Sequence, residues 1–449
     1  MRRLKIKDFG PLDHIALDLD KSCNLIIGEQ AIGKSTLAKT IYFSLKIRDY
    51  LLECLSDLSE LHPGETRYAR FLFYVRRCFM GCFGTTKHMR PFKIEFDYAC
   101  IPTAKGTKQL ILTLKDGFVD IKFSRVLQND IQALFQRAEE LYGQRDLVQH
   151  IGVYDDVIQD LQASLLIRQH LRQTVNAMFD IQGDVLYIPA GRSVLATLSE
   201  QLQEIDTTDT SQMDLPLKEF IALIQKLKKR FGTQLEDIVE QYTKMEGRNI
   251  RRHDVQLAID TIRKILKASY INEQDTEKLY YDNENWVKLM YASSGQQESL
   301  WILLLIFQRL LLQQKTFLIV EEPEAHLFPI AQRHMMEMVG LLMYATGSEV
   351  FITTHSPYVL NSLNVLAYSG KIEGKDANIK NAVVPRGYRI LPGKLEAYLL
   401  LQRAGTSSLV SIMDKNEGLI QSHKIDKLSD IIEQDMEKLL EKEVQYDLR

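Results

Sequence analysis

A run of residues near the amino terminus has the composition of a loop that wraps a phosphate chain. The residues are Gly28, Glu29, Gln30, Ala31, Ile32, Gly33, Lys34, Ser35 and Thr36, and Gly28 to Ser35 fit the Walker A pattern. The glycines let backbone N–H groups point inward, and the helix that follows adds its positive end. Lys34 would contact the β- and γ-phosphates, Ser35 would ligate Mg²⁺, and Thr36 would lie near the α-phosphate. The alternative is a glycine turn before an ordinary helix.

Two adjacent carboxylates follow an apolar run that is typical of a buried strand. The run is Phe317–Val320, and the carboxylates are Glu321 and Glu322. Ligands collect at the carboxyl ends of strands in open α/β sheets, which makes this segment a Walker B candidate. Glu321 would hold the hydrated Mg²⁺, and Glu322 would orient and deprotonate an attacking water.

A serine–glycine segment precedes the Walker B candidate and opens a predicted helix. Its candidate phosphate-binding residues are Ser293, Ser294, Gly295 and Gln296. A serine hydroxyl and a glycine N–H at a helix start would make a second anion site. The segment resembles the ABC signature, which implies that it completes the Walker A pocket of another head docked face to face. The alternative is a common helix cap.

A histidine follows a second predicted buried strand. The strand covers Val350–Thr353, and His355 comes directly after it in the sequence TTHSP. This is the place where ABC-type enzymes carry a switch histidine that contacts the γ-phosphate. The alternative is a structural histidine, which is the commoner role of a lone residue of this type.

The elements that would position these residues alternate between strands and helices. A strand over Cys23–Ile27 precedes the glycine loop, and a helix over Lys34–Leu45 follows it. From 299 to 370 helices and strands succeed one another as in a parallel sheet with crossover helices. We therefore predict an α/β fold, a P-loop ATPase head of the ABC type made of 1–45 and 280–390. An inserted β and helical lobe would occupy 46–279, and a helical extension would occupy 391–449.

Composition and charge exclude several classes of protein. Hydrophobic residues make up 45% of the 449-residue chain, which is ordinary for a protein with a packed core. The formal net charge is −3, so contact with nucleic acid would need a local basic patch. The five cysteines are irregularly spaced, which favours free thiols. No signal peptide opens the sequence, and the most apolar run, Leu300–Leu312, is too short to span a bilayer. We predict a cytoplasmic protein without membrane contact.

One segment has the composition of such a local patch. Its basic residues are Arg67, Arg70, Arg76, Arg77, Lys87, Arg90 and Lys93, and they are interleaved with Tyr68, Phe71, Phe73, Tyr74, Phe79 and Phe83. This mixture suits phosphate contact combined with base stacking. Further basic residues are Lys226, Lys228, Lys229, Arg230, Arg248, Arg251 and Arg252. The alternative is a solvated face or an interface with an acidic protein.

With these motifs in order, the sequence resembles the bacterial AAA-type ATPases related to RecF, SMC proteins and the overcoming-lysogenization-defect (OLD) nucleases. The resemblance covers about the first 45 residues and about 280–370, and its specific marks are ASSGQQES, VEEPEAHLFP and ITTHSP. It implies that Glu321 replaces the usual aspartate and that Pro323 to Pro329 form a D-loop across a dimer interface. The segment YIPAGRS also resembles an internal motif of these ATPases. Arg192 within it would sense phosphate or the opposing subunit, or would be an exposed arginine at a helix start.

The resemblance implies a function as well as a fold. We expect ATP and Mg²⁺ as cofactors, and a homodimer or higher homo-oligomer held through ATP-sandwiched heads. OLD nucleases continue into a TOPRIM domain, and the tail after Ile390 is too short for one. The first hypothesis is therefore an ATPase that acts as sensor or scaffold for a separate effector, a nuclease, in anti-phage defence of the PARIS or Septu type. The alternative is a RecF-like DNA-binding ATPase in DNA repair. A transporter subunit fits less well, because the insertion is too long.

Overall fold

The computed structural model of the protein describes residues 2–57, 61–103, 106–149, 156–192, 213–246, 251–273, 276–373, 383–403, 406–414, 416–422 and 436. Within these ranges the chain forms a central, mostly parallel sheet, an antiparallel sheet and helices that pack around both. This architecture confirms the predicted α/β class. Among the described residues, no helix is both long enough and apolar enough to cross a membrane.

Six strands form the central sheet. In spatial order they are β14 (Thr406–Ser411), β13 (Leu395–Arg403), β3 (Cys23–Ile27), β12 (Glu349–Thr354), β11 (Thr316–Glu321) and β7 (Asp184–Ile188). Neighbouring strands from β13 to β7 are parallel, and β14 pairs with β13 in the antiparallel direction. Every residue of β3 and β11 is buried, as expected for central strands with both faces covered.

Alternate residues of these strands face two separate cores, because successive side chains of a strand point to opposite faces. Leu25 and Ile352 pack into one core, whereas their neighbours Ile26 and Phe351 pack into the other. The first core includes helices α5 (Leu215–Lys228), α6 (Leu235–Glu246), α7 (Arg252–Leu266), α8 (Ser294–Leu311), α9 (Pro329–Thr346) and α10 (Pro357–Glu373). The second includes helices α1 (Lys34–Ser56), α2 (Arg67–Phe83), α3 (Arg125–Gln149) and α4 (Asp156–Phe179). Helices α1 and α8 therefore lie on opposite faces of the central sheet.

An antiparallel sheet closes the core that contains α1. Its strands, in spatial order, are β2 (Leu12–Asp18), β1 (Arg3–Phe9), β4 (Lys93–Thr103), β5 (Gly106–Lys115) and β6 (Phe118–Phe123). Asp116 and Gly117 form the turn between β5 and β6, and both residues have the positive φ that a tight two-residue turn requires. A smaller sheet of β8 (Ser269–Glu273), β9 (Thr276–Tyr280) and β10 (Trp286–Lys288) precedes the signature segment.

The predicted boundary between the head and an inserted β and helical lobe over 46–279 is wrong at two strands, β4 and β7. Strand β4 pairs directly with β1, so the inserted strands extend a sheet that the amino-terminal hairpin begins. Strand β7 pairs with β11 and forms the edge of the central sheet. Helix α1 also runs on to Ser56, eleven residues beyond the predicted end at Leu45. Strands β4 and β7 belong to the sheets of the head because they pair with segments that are distant in sequence. Local periodicity does not encode such pairing.

The prediction of a helical extension over 391–449 is wrong for its first part. Residues Leu395–Arg403 and Thr406–Ser411 are strands, and β13 pairs in parallel with β3 beside the glycine loop. Leu395 and Ala397 are buried in the core on one face of the sheet, and Leu400 is buried in the core on the other. A stretch rich in leucine, with glutamate, glutamine and arginine, has good intrinsic helix propensity, and here the tertiary pairing overrides it. The rest of the predicted extension, beyond Ser422, lies outside the described residues apart from Met436.

Candidate nucleotide-binding and hydrolysis site

The glycine loop joins β3 to α1 in a tightly packed turn. Gly33 has a φ of 104°, a backbone conformation that glycine adopts readily and that residues with a side chain rarely adopt. A Cβ on Gly28 would lie 2.6 Å from the carbonyl oxygen of Leu400 and 2.5 Å from Ile32 Cδ1. No side chain caps the start of α1. The first amides of α1 are therefore not satisfied by a cap, which is the arrangement that anion-binding helix starts use.

Lys34 is buried in the curve of this loop. Its ammonium donates to the carbonyl oxygens of Gly28 and Glu29, at 2.8 and 2.5 Å. It also contacts His355 Nδ1 at 3.3 Å. Burial lowers the pKa of Lys34, and the nearby carboxylates, Glu322 first among them, oppose that shift. The Lys34 ammonium therefore lies inside the curve formed by the loop.

Ser35 and Glu321 lie in direct contact although 286 positions separate them in the sequence. Ser35 Oγ donates to Glu321 Oε2 at 2.9 Å, and the Tyr187 hydroxyl donates to Glu321 Oε1. Burial raises the pKa of Glu321, while the hydrogen bonds from Tyr187 and Ser35 lower it. The serine that directly follows Lys34 is therefore in contact with the carboxylate at the end of β11.

Glu322 and His355 form a second pair beside Lys34. His355 Nε2 lies 2.6 Å from Glu322 Oε1, on the opposite side of the ring from the contact with Lys34. A neutral ring protonated at Nε2 satisfies both contacts, because Nε2 donates to the carboxylate and Nδ1 accepts from the ammonium. Glu322 has a φ of 45°, a left-handed conformation that is unusual for glutamate. The turn after β11 therefore holds this carboxylate in a strained conformation, which is common at functional sites.

A third carboxylate, Glu324, organises this edge of the sheet and was not predicted from the sequence. Its Oε1 accepts from the backbone N–H of His355 at 3.0 Å and from the Thr354 hydroxyl. Glu324 is buried, and burial raises the pKa of its carboxyl group. The spacing of Glu324 two positions after Glu322 was the available signal. It was not informative alone, because exposed acidic residues commonly have the same spacing.

Arg192 occupies a different place from either of the two that the sequence suggested. Its side chain has no exposed surface, so it is not an exposed arginine at a helix start. Its guanidinium donates to the backbone carbonyl oxygens of Glu321 and Glu322, at 2.6 and 2.8 Å, and to that of Pro189 at 2.7 Å. Burial lowers the pKa of Arg192, with Glu298 the largest opposing influence. Arg192 contacts the Walker B turn from behind, so a direct contact with phosphate or with an opposing subunit is excluded in this arrangement.

The residues that resemble the ABC signature open α8 with a complete capping box. Ser293 Oγ accepts from the Gln296 backbone N–H at 3.4 Å, and Gln296 Oε1 accepts from the Ser293 backbone N–H at 3.1 Å. Ser294 is the first residue of α8. A Cβ on Gly295 would lie 2.6 Å from the carbonyl oxygen of His326, so the start of α8 packs against the loop after β11. Because α1 and α8 cover opposite faces of the sheet, the structure does not bring the signature residues together with Lys34.

Comparison with known families identifies the architecture. The AAA ATPase domain matches residues 1–360. The chain belongs to this family. No curated protein matches the sequence. The solved structures that resemble this AAA ATPase domain protein include the SMC head bound to the C-winged helix domain of ScpA, at 10% identity and a TM-score of 0.42, covering 92% of this chain and 98% of that one.

Two further SMC heads are similar to this AAA ATPase domain protein at low identity. One, from Pyrococcus furiosus, has an extended coiled coil and is bound to the C-terminal domain of ScpA. It is 11% identical, with a TM-score of 0.38, and covers 96% of this chain and 100% of that one. The other, the SMC head domain from Thermotoga maritima, is 9% identical, with a TM-score of 0.35, and covers 92% and 98%.

The residues present fit a nucleotide with a hydrated divalent cation. Gly28 and Gly33 shape a close-packed loop, because a Cβ at Gly28 would clash with Leu400 and a Cβ at Gly33 would clash with Leu12 and Pro11. Ser35 and Glu321 offer two hard oxygen donors in contact with one another. In the part of the chain that the structure describes, no group of three or more His, Cys, Asp or Glu residues could hold a metal alone. Two protein oxygens suit Mg²⁺, which usually keeps several waters and takes the remaining ligands from phosphates.

The basic and aromatic segment of this AAA ATPase is largely a packed helix. Phe71 and Phe79 of α2 are fully buried, so they cannot stack on bases. Arg67 pairs with Glu139 at 2.9 Å, and Arg70 pairs with Glu65 at 2.9 Å. These partners reduce the positive charge that the sequence alone suggested. In the second cluster Lys228 is buried against Glu277 at 2.8 Å.

Proposed function

We propose that this AAA ATPase binds ATP with Mg²⁺ and hydrolyses it to ADP and phosphate at sites completed by a second copy of the chain. One observation carries the proposal: Lys34, His355 and Glu322 form a continuous chain of contacts beside the Ser35–Glu321 pair. A phosphate-binding cation, a polar relay and a carboxylate at the end of a buried strand are the parts that P-loop hydrolysis requires.

The proposed roles follow from these contacts. Lys34 would exchange the loop carbonyls for β- and γ-phosphate oxygens, which are stronger acceptors. Glu322 would accept a proton from the water that attacks the γ-phosphorus, and the bond from that phosphorus to the β-γ bridging oxygen would break. His355 lies between Lys34 and Glu322, so it would orient the carboxylate and contact the γ-phosphate.

Ser35 and Glu321 would hold Mg²⁺. The ion would neutralise charge on the β- and γ-phosphates. Glu321 is anchored from its other oxygen by Tyr187, which leaves the oxygen that faces Ser35 directed towards the loop. Thr36 follows in the first turn of α1 and would lie near the α-phosphate. The residues Glu29, Gln30, Ala31 and Ile32 would contribute backbone N–H groups from the loop.

The need for a second copy rests on the placement of the signature residues. Ser293, Ser294, Gly295 and Gln296 start a helix on the face of the sheet opposite α1. Phe328 and Ile330, at the end of the proposed D-loop and the start of α9, are 76% and 50% exposed. Exposed apolar residues beside a functional edge mark an interaction surface. Two heads docked through this edge would bring the signature of one to the Walker A loop of the other.

The substitution Glu322→Gln tests the proposal. Glutamine keeps the shape and still accepts from His355, but it cannot take a proton from water. We expect ATP binding to persist, hydrolysis to fall about 100-fold or more, and an ATP-bound dimer to accumulate. The measurements are nucleotide affinity, phosphate release and mass in light scattering. The exposed Glu284→Gln is the matched control. Equal hydrolysis rates in Glu322→Gln and in the parent would refute the role of Glu322.

The biological role that we propose is control of a separate effector, a nuclease, in anti-phage defence in the manner of PARIS or Septu ATPase subunits. Its support is the resemblance carried by the sequence motifs around 292–299, 320–329 and 352–357. A ligand that binds one conformation better shifts the population towards it, so ATP occupancy could gate an effector. The test is co-purification from the native host with tagged Glu322→Gln. A partner with nuclease activity that depends on the nucleotide state would support this role, and recovery of DNA without such a partner would contradict it.

A RecF-like DNA-binding ATPase is the second candidate. Phe73 on α2 is 63% exposed, and the guanidinium of Arg77 lies over the ring of its neighbour Tyr74 at 5.7 Å. An exposed aromatic ring beside a cation suits single-stranded nucleic acid. Arg77→Glu would then abolish DNA-stimulated hydrolysis and flatten the salt dependence of binding, with Lys87→Glu as the comparison. Identical DNA responses in the parent and in Arg77→Glu would remove this candidate.

A further inference from the structure

Behind the proposed hydrolysis site, a buried network connects three segments that are distant in sequence. Arg192 follows β7, Glu298 lies in the second turn of α8, and His326 lies in the proposed D-loop. Arg192 and Glu298 are 0% and 4% exposed at their side chains, whereas His326 is 61% exposed. The network therefore runs from the protein surface to the backbone of the Walker B turn.

The contact between Arg192 and the turn is a fork. One terminal nitrogen donates to the carbonyl oxygen of Glu321 and the other to that of Glu322, at 2.6 and 2.8 Å. The planar guanidinium suits two acceptors at fixed spacing, which a lysine ammonium cannot match. Glu322 has a left-handed backbone conformation, and the two hydrogen bonds from Arg192 hold the backbone of the turn that carries its carboxylate.

Glu298 is shared between the two ends of the network. Its Oε2 lies 3.8 Å from Arg192, and its Oε1 lies 3.4 Å from His326 Nε2. Among the described residues, Glu298 Oε2 and Arg192 Nε are buried polar atoms without a hydrogen-bond partner. A charge-assisted hydrogen bond is about 1 Å shorter than the Arg192–Glu298 distance, so the carboxylate has room to close on the guanidinium. Glu298 thus lies within reach of both the exposed His326 and the buried Arg192.

We propose that Arg192 is a positioning residue for the Glu321–Glu322 turn, and that Glu298 couples it to the exposed His326, which a second copy of the chain contacts when two heads dock. The network makes the direction of the water-orienting carboxylate depend on docking. Hydrolysis is thereby tied to the assembled state. The inference rests on the proposed hydrolytic function and specifies how it is regulated.

The test is a double-mutant cycle with Arg192→Lys and His326→Ala, measured as kcat and KM for ATP at protein concentrations that saturate dimerisation. We expect Arg192→Lys to lower kcat about 10-fold or more while nucleotide affinity is retained, because the carboxylate is misdirected and the loop is untouched. His326→Ala removes an exposed side chain, so it leaves folding intact and lowers kcat about 5-fold. The double variant should be no slower than Arg192→Lys, since both changes break one network.

His334→Ala is the matched control. His334 pairs with the buried Glu337 at 2.7 Å on α9, so its removal breaks a similar pair outside the network. We expect parental kcat from this variant. Multiplicative losses in the double variant, or parental kcat in His326→Ala, would overturn the coupling. An Arg192→Lys variant that loses nucleotide affinity in step with kcat would overturn the positioning role. A parent that hydrolyses no ATP at any concentration would instead refute the proposed function itself.

Discussion

Helices α1 and α8 begin at the same edge of the central sheet, on opposite faces, and both begin near glycine and serine. They differ in how their first amides are satisfied. Helix α1 has Gly33 at its N-cap and no side-chain cap, whereas α8 has Ser293 and Gln296 in a reciprocal capping box. Gln296 Nε2 is also tied to the carbonyl oxygen of Leu266 at 2.6 Å. One helix start is therefore open to a ligand, and the other is internally complete.

This difference distinguishes the two halves of the proposed composite site. The start of α1 can take phosphate oxygens without breaking a hydrogen bond to a side chain. At α8 the Ser293 hydroxyl already donates to Gln296 Oε1 at 3.0 Å, so it can donate to a ligand only by giving up that hydrogen bond. Most of the affinity for nucleotide would thus come from the start of α1. The start of α8 would contact the nucleotide only when a second copy of the chain is docked. This difference suits a site in which one head binds ATP tightly and the second head docks only onto the ATP-bound head.

The largest effect should come from the lysine at the open helix start. Lys34→Met removes the ammonium that would contact two phosphates, and the loss of two charge-assisted hydrogen bonds should weaken nucleotide binding about 100-fold or more. The measurement is titration with a fluorescent ATP analogue. Lys394→Met, which makes the same change at the opposite edge of the sheet, is the control and should bind like the parent. Equal nucleotide affinities for Lys34→Met and the parent would contradict the conclusion that the start of α1 is the main nucleotide-binding element.

A smaller effect should come from the close approach of α8 to the D-loop. Gly295→Ala places a Cβ 2.6 Å from the His326 carbonyl oxygen, where backbone has to move. Alanine has better helix propensity than glycine, so the clash decides the sign, and we expect a loss of about 1–3 kcal/mol in the free energy of unfolding. Urea denaturation measures it. In Gly232→Ala the nearest atom is 3.9 Å away, so this control should cost less. A more stable Gly295→Ala would show that α8 and the D-loop are not packed as described.

The smallest effect on stability should come from Ser293, and it separates capping from ligand contact. Ser293→Ala loses the cap and about 1 kcal/mol, whereas Ser293→Asp keeps a good cap and the stability of the parent. If Ser293 contacts the phosphate of a second copy, both variants lose hydrolysis, and the aspartate variant loses more because its charge repels the phosphate. Thermal unfolding and phosphate release measure the two properties. Full hydrolysis by Ser293→Asp would restrict Ser293 to capping.

Part of the site could be predicted because its signals are local. Residues Gly28 to Ser35 and the adjacent acidic pair Glu321 and Glu322 each lie at the end of a short apolar run, and the structure places a buried strand before each. The contact between Ser35 and Glu321 follows from this, since parallel strands deliver their carboxyl ends to one edge. Glu324 and the buried fork of Arg192 could not be predicted. Both residues act through hydrogen bonds to partners more than twenty positions away in the sequence, and local patterns do not encode such contacts.

The sequence by itself determined the glycine loop, the paired carboxylates, the serine–glycine helix start and the alternation of strands and helices, because residue type and spacing act over a few residues. Only the tertiary structure decided that β13 and β7 belong to the central sheet, and that Arg192 lies behind the Walker B turn. Strand pairing and burial depend on which distant surfaces meet, and a helix-favouring stretch such as Leu395–Arg403 becomes a strand when a neighbouring strand satisfies its backbone.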